Sequence, residues 1–479
     1  MPNNNQSRPP PNHAVSASIL SILPIHVQQT NSRLPIADGP LCGTISEIFR
    51  NSGAAKADPQ VKITDYSTFV ISTPWRNLTY LVLETSDGLY GVGEARILGK
   101  THTVLEYLKD VRRHIVGHDV YDIEDLYRRF TLLDFGSPGE VVMTGLALVE
   151  LASWDIIGKK AGLPVYQLIG GKVHDKIQAY ANGWYRGDRT PESFASCAKE
   201  VVARGYRALK FDPFGNGNLE LSREEYRKSL DIIAAVHSVT DGKAQMLIEM
   251  HGRFAPHQAV EIAREIEKYH PGWIEEPCRP EDPGALRYVM DHTSIPIATG
   301  ERLYHAGQYR DLLSNRLTHI IQPDLNQCGG LLETKKICST AETYSIMAAP
   351  HNVGGIVTTT ASLHMLTTLR NGKILEHFND FVDSDIKTVA APYPEVVDGY
   401  FALPSGPGWG LELKHEIIDA LKADMDGNII PDPGLNMFVN PEWNKRDTAL
   451  KSPHNSLSPA EPGARRGGHE ENQGEAGTR

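Results

Sequence analysis

Paired cysteines are missing from this chain. Its 479 residues include five cysteines, Cys42, Cys197, Cys278, Cys328 and Cys338, and none of them forms a CxxC pair. An odd, dispersed set argues against a disulfide framework and against cysteine-bound zinc, and it suits a reducing compartment. Long apolar runs are lacking too: no stretch of about 18 or more apolar residues stands out, so no membrane span is expected. The run from Ala17 to Ile25 is apolar, but two serines and a proline interrupt it and no basic cluster precedes it. That makes a secretory signal a poor reading, and a cytoplasmic location is expected. Positive charge is also short, with 48 Lys and Arg against 59 Asp and Glu, a net −11. Nucleic acid or an anionic membrane would call for a basic face, so neither is expected as a partner. A small anionic substrate remains compatible, given a metal and a few cations focused in one cleft.

What the chain does have is the composition of an ordinary globular protein, 40% hydrophobic and 22% charged, long enough for a large core without staples. Residues 1–60 begin rich in Pro, Asn and Ser, and the tail over 446–479 is dominated by Gly, Pro, Glu, Ser and Asn. Both ends are expected to be disordered. Strand patterns at Lys62 to Ser72, Leu78 to Thr85 and Tyr90 to Glu94 predict an antiparallel meander, with Asp87-Gly88 as a turn. Helical patterns follow at Thr103 to Val116, Ile123 to Leu133 and Val141 to Gly162. Residues 61–175 therefore read as an α+β unit. Over 176–388, short apolar runs (IQAYANG, ALKFDPF, MLIEMHG, GWIEEP, IPIATGE, HIIQPD, IMAAPH, KILEHF) alternate with amphipathic helices. Eight runs at a pitch of roughly 25–30 residues predict a (β/α)8-type barrel. After the first, nearly every run ends in a charged or imidazole residue, as a site at the strand C-termini requires. Residues 389–445 are strand- and loop-rich and are expected to return to the first unit.

The run ends carry the chemistry. Glu249, Glu275 and Glu301 close successive runs, and hard oxygen ligands in that number suit Mg²⁺. Glu276, beside Glu275, is expected to point off the metal and to pair with a neighbouring strand. Lys210 ends the second run, where it would neutralise a substrate carboxylate and the enolate formed from it. His251 follows the first acidic ligand, and His351 ends the seventh run. Asp324, at the sixth, can fix the His351 tautomer and raise its basicity. Glu376, at the eighth, is expected across the substrate from Lys210, protonated and donating a hydrogen bond. Asn182, Tyr185, Arg186, Asp212 and Asn326 follow run ends, where they either bind substrate hydroxyls or cap helices.

The ordered set LKFD, IEMHGR, WIEEP, TGER, QPDLNQCGG, APH and LEH resembles the mandelate racemase subgroup of the enolase superfamily. The resemblance implies a modified (β/α)7β barrel with an α+β capping domain built from the N-terminal region and the C-terminal segment. It also implies Mg²⁺ on Glu249, Glu275 and Glu301, an Asp324–His351 dyad, Glu376 as electrophile, and an assembly of identical chains. A Lys or His base with Mg²⁺ behind an enediolate is general to such sites. The departures narrow the activity. Racemases carry Lys-x-Lys on the second strand, with the second lysine as a base. Here the motif is Lys210-Phe211-Asp212, so that base is missing. Cycloisomerases place a lysine on the sixth strand, where this chain has Asp324. The Glu-x-His-Gly-Arg context of His251 looks like the galactonate and gluconate dehydratase pattern.

The expected reaction is β-elimination from a sugar acid. His351 removes the C2 proton, Lys210 and Glu376 hold the enediolate, and His251 protonates the departing 3-hydroxyl. Two other readings stay open at this stage: a racemase or epimerase on the same scaffold, and a non-catalytic barrel that binds a ligand.

Overall fold

The computed structural model describes residues 60–73, 76–381 and 384–421. The disorder expected over 1–60 and 446–479 falls outside them, Gln60 excepted, as does the C-terminal segment beyond residue 421.

The chain starts as a meander of β1 (Ile63–Ser72), β2 (Asn77–Thr85) and β3 (Tyr90–Ala95), all antiparallel. Helices α1 (Thr101–Asp110), α2 (Arg112–Ile115), α3 (Ile123–Leu133), α4 (Glu140–Ala161) and α5 (Val165–Leu168) complete the cap. Strand β3 lies flat on α4 because Gly91 and Gly93 carry no side chain. A Cβ there would meet the carbonyl oxygens of Ala152 and Leu148 at 2.1 and 2.0 Å. Gly162, with φ 67°, closes α4 in the left-handed conformation that glycine takes at no steric cost. By length and composition α4 is apolar enough to cross a membrane (mean hydropathy 1.6), a feature the run-by-run reading missed. Within the fold, 83% of its most apolar window is buried, so it serves here as the core helix of the cap.

The barrel strands are β4 (Lys176–Ala181), β5 (Ala208–Phe211), β6 (Gln245–Glu249), β7 (Trp273–Glu275), β8 (Ile297–Thr299), β9 (Ile320–Ile321), β10 (Met347–Ala348) and β11 (Leu375–His377). Neighbours pair in parallel from β4 to β10, and β11 pairs with β4. The ring closes where the Ala348 N–H donates to Asn371 O (2.9 Å) and the Lys373 N–H donates to Ala348 O (2.8 Å). Between the strands run α6 (Pro191–Ala203), α7 (Arg223–Thr240), α8 (Pro256–Ile266), α9 (Pro283–Met290), α10 (Ala306–Ser314), α11 (Leu331–Thr343) and α12 (Ile356–Thr367). Several start as the sequence requires: Thr190, Ser222 and Asp282 cap α6, α7 and α9 through their side-chain oxygens, and proline opens α6 and α9. Seven helices for eight strands make a (β/α)7β barrel.

After β11 the chain runs through β12 (Ala390–Ala391), β13 (Val396–Val397), β14 (Tyr400–Ala402), β15 (Glu412–Leu413) and α13 (His415–Leu421). This segment does not return to the cap alone. β14 pairs antiparallel with the start of β4 and extends the barrel sheet. Farther on, the Trp409 N–H donates to Asp155 Oδ1 (3.0 Å) and its indole N–H to Val92 O (3.0 Å), which binds α4 and β3. Cap and barrel share one apolar core, in which Ile71, Leu78 and Tyr80 join the barrel side chains.

Candidate active site

Side-chain alternation along the strands sets the site. A closed apolar layer fills the barrel: Tyr180, Ala208, Leu247, Trp273, Ala298, Ile320, Ala349 and Ile374, one from each strand or its flank. Two residues on, at the C-terminal end, the same inward direction recurs. Those positions are Asn182, Lys210, Glu249, Glu275, Gly300, Gln322, His351 and Glu376. The apolar layer makes a dry floor, and above it stands a charged layer.

Glu249, Glu275 and Glu301 each present an oxygen within 4.8 Å of the others. Burial first, and then the facing Glu275, push the Glu249 carboxyl well above the ordinary carboxylate range. Three acids this close keep a proton among them unless a cation neutralises them. Glu249 Oε2 accepts no hydrogen bond although Lys210 Nζ lies 3.1 Å away. Glu275 is oriented from below, its Oε2 accepting from the Trp273 indole N–H at 2.9 Å. An all-carboxylate donor set with a buried oxygen left unbonded fits a hard divalent cation such as Mg²⁺. Glu276 does turn away, in a left-handed conformation (φ 41°), and its Oε2 accepts from Arg302 Nε at 2.8 Å.

Two Asp–His pairs stand at the ends of this triad. His351 Nδ1 is 2.6 Å from Asp324 Oδ2, and its Nε2 is 3.4 Å from Glu301 Oε2. Burial alone would lower its pKa, but Glu301, Glu376 and Asp324 together push it up to about 10. His251 Nδ1 is 2.7 Å from Asp212 Oδ2, and its Nε2 is 3.9 Å from Glu249 Oε2. Here burial prevails over Asp212 and holds the imidazole below its ordinary value. His251 also sits at φ 51°, a conformation that costs a non-glycine residue about 1 kcal/mol.

Several expectations need correction. Glu376 is not across from Lys210: its Oε1 lies 3.0 Å from Lys210 Nζ. Burial would raise the Glu376 pKa, but Lys210 and His351 hold it below the usual range. Lys210, buried, also contacts Glu275 Oε1 at 2.5 Å, so its ammonium is the counter-charge of the acidic layer as well as a candidate substrate contact. Asn182 and Asp212, read as either substrate contacts or helix caps, are committed to other protein groups. Asn182 Nδ2 donates to Glu376 Oε1 (2.7 Å), while Asp212 holds His251 and accepts from Arg253 Nη2 (2.5 Å). Asn326 is buried behind the dyad, its N–H donating to Asp324 Oδ1 (2.7 Å) and its Oδ1 lying 3.0 Å from the Thr358 hydroxyl. Tyr185 stacks on Phe194, and burial with nearby Asp212 raises its hydroxyl pKa, which places that oxygen beside the site. Arg186 is exposed, and its carbonyl accepts from Ser193 Oγ (3.0 Å).

Sequence reasoning missed four residues. Asn352 donates its N–H to Glu376 Oε2 (2.9 Å), and Arg302 Nη2 donates to His251 O (2.8 Å). Arg253 pairs with Asp212. Gln322 is buried in the charged layer with neither end of its amide bonded to protein. The arginines stood inside the quoted motifs, and strand parity would have found Gln322.

Comparison with known proteins agrees with this geometry. Residues 57–170 match the mandelate racemase/muconate lactonizing enzyme N-terminal domain, and residues 193–417 match the enolase C-terminal domain-like family. The D-gluconate/D-galactonate dehydratase of Picrophilus torridus is 35% identical over 355 residues, covering 74% of this chain and 90% of the relative. The D-gluconate dehydratase of Thermoproteus tenax is 34% identical, covering 73% and 71%. Among solved structures, a mandelate racemase/muconate lactonizing enzyme from a Jannaschia species superposes with a TM-score of 0.72 at 32% identity, covering 77% of this chain and 99% of that one.

Proposed function

Because the chain belongs to the mandelate racemase/muconate lactonizing enzyme family of the enolase superfamily, we propose that it is a Mg²⁺-dependent hydro-lyase that dehydrates an aldonate of the gluconate or galactonate kind to a 2-keto-3-deoxy acid. The observation that carries this reading is the pair of Asp–His units at the two ends of one acidic triad. β-Elimination needs a base for the C2 proton and a separate acid for the 3-hydroxyl, and the two imidazoles supply one each.

Glu249, Glu275 and Glu301 would hold the cation. Mg²⁺ bound there would take up the Glu301 charge that now raises the His351 pKa and would polarise the substrate carboxylate. His351 accepts the C2 proton on Nε2 while Asp324 holds its Nδ1–H. Lys210 sets its positive charge against the enediolate that forms. Glu376, a carboxylate held by Asn182, Asn352 and Lys210, fixes the ammonium in place. His251, oriented by Asp212, enters this step as the imidazolium, the form that burial disfavours in the free chain, and gives its Nε2 proton to the 3-hydroxyl as the C3–O bond breaks. Water leaves, the enol tautomerises, and solvent restores both imidazoles. To Tyr185, close to Asp212, and the exposed Arg186 this reading gives the distal hydroxyls, and Gln322 offers an unbonded amide. The same reading carries an assembly of identical chains in the cytoplasm with no nucleic-acid or membrane partner. Family membership and the acidic charge balance support it.

Two variants test the division of labour. His351→Asn should stop both dehydration and C2 proton exchange. His251→Asn should stop dehydration while exchange into solvent deuterium continues. Equal loss of both activities in His251→Asn would overturn the assignment, and exchange without keto acid in the unaltered enzyme would indicate an epimerase.

A further inference from the structure

Both residues of the His351–Asp324 dyad are followed by a glycine pair and then a helix: Gly329-Gly330 before α11, and Gly354-Gly355 before α12. Each helix is capped by a buried carboxylate from the cap domain instead of by a residue of its own. On α4, Glu150 Oε2 accepts the Leu331 N–H (2.8 Å) and Oε1 the Leu332 N–H (2.9 Å). On β3, Glu94 accepts the Gly355 N–H, the Val357 N–H (3.0 Å) and the Thr358 hydroxyl (2.9 Å). The glycines make room for this approach. A Cβ on Gly330 would come within 2.1 Å of Glu150 Oε2, and one on Gly355 within 2.8 Å of Glu94 Oε2. Carboxylates at helix N-termini answer both the unbonded N–H groups and the dipole.

The two anchors converge on the dyad. The Thr358 hydroxyl, bonded to Glu94, also lies 3.0 Å from Asn326 Oδ1, and the Asn326 N–H holds Asp324 Oδ1. Between His351 and α12, Arg76 of the cap donates to the carbonyls of Val353 and Gly354 and to Asn379 Oδ1. The segment carrying the catalytic base is thus held from both sides by the cap.

We propose that Glu94 and Glu150, with Arg76, are positioning residues through which the docked cap sets the His351–Asp324 geometry. The inference rests on His351 being the base of the proposed function. None of the three touches the reacting atoms, and the apolar core shared with the barrel already supplies docking. Their distinctive effect is therefore on turnover.

The test uses full-length Glu94→Gln, Glu150→Gln and the double variant. Loss of one of the two acceptor oxygens at each helix start should lower kcat by about tenfold per site, for C2 exchange and dehydration alike. KM and the affinity for Mn²⁺, used as the metal probe, should stay near their starting values. Hydrogen–deuterium exchange without substrate should rise in the 324–333 and 351–358 segments and not in the strands carrying Glu249 and Glu275. A merely structural role would lower thermal stability but leave kcat per metal-loaded site unchanged, which would overturn the proposal. Unchanged exchange in both segments would do the same. If Glu94→Gln fails to fold, Thr358→Val removes the hydroxyl that joins Glu94 to Asn326 while Glu94 keeps the Gly355 and Val357 N–H groups; it should lower kcat in the same direction, with Thr358→Ser restoring it, and a Thr358→Val enzyme at full kcat counts against the proposal. The deuterium measurement needs no sugar acid, so a wild-type enzyme inactive on aldonates would sink the functional reading while the anchors are still decided.

Discussion

Asp212, which the sequence left open as a substrate contact or a helix cap, lies against His251, so Asp212→Asn separates the two halves of the reaction. The substitution removes an ionised acceptor that sits 2.7 Å from His251 Nδ1 and 2.5 Å from Arg253 Nη2. A hydrogen bond to a charged group contributes about 1.5–3 kcal/mol, and if the His251 bond is lost in the elimination transition state, dehydration slows about 10- to 100-fold. The side chain is the same size, and Arg253 keeps its bonds to the carbonyls of Gly215 and Gly217, so the fold should survive. C2 exchange depends on the other dyad, which has no hydrogen bond to Asp212, and should stay within about twofold. Semicarbazone formation reads dehydration, and proton NMR in D2O reads exchange. Equal loss of both rates, or no loss of either, would refute the assignment of Asp212 to His251.

Two further outcomes follow from burial and charge. Mg²⁺ at 100 times its dissociation constant should stabilise the fold by about 2.7 kcal/mol, visible as a thermal midpoint several degrees higher, and Glu275→Gln should abolish most of that gain; a Mg²⁺-insensitive melt would contradict the metal site. His364 is buried neutral, its Nδ1 accepting the Tyr166 N–H (3.1 Å) and its Nε2–H donating to Trp409 O (3.2 Å), and burial lowers its pKa to about 4. The unfolded chain, with the ordinary value near 6.5, takes up the proton first as pH falls. Stability held above pH about 6.5 should decline by about 3 kcal/mol as pH drops toward 4. His364→Gln, which keeps a donor and an acceptor, should flatten that slope in urea titrations; an unchanged slope would place the titration elsewhere.

Much of the fold was legible because strand and helix periods are local. The meander and the eight barrel runs fall where alternation and run ends placed them. The expected helix from Thr103 to Val116 breaks at Val111, and because Val104, Leu108, Val111 and Ile115 keep helical spacing across the break, periodicity cannot see it. The C-terminal segment carried strand signals without partners, and only the pairing of β14 with β4 shows that it serves the barrel too. In the site, the acidic triad was readable because each acid ends a run. The position of Glu376 was not. Its neighbour Lys210 is far off in sequence and comes near because β11 pairs with β4, itself beside β5. For Asp212, a strand-end residue reads alike as a substrate contact or as a partner of the next strand's histidine. Glu94 and Glu150 lie in the cap, and nothing local announces that they cap barrel helices.

The central claim is most directly tested by incubating the purified protein with Mg²⁺ and a panel of aldonic and aldaric acids, trapping 2-keto acids as semicarbazones beside an EDTA control. The account predicts a metal-dependent signal on one or two stereoisomers, with gluconate and galactonate first among the candidates. Silence across the panel from protein that still binds the metal would contradict it.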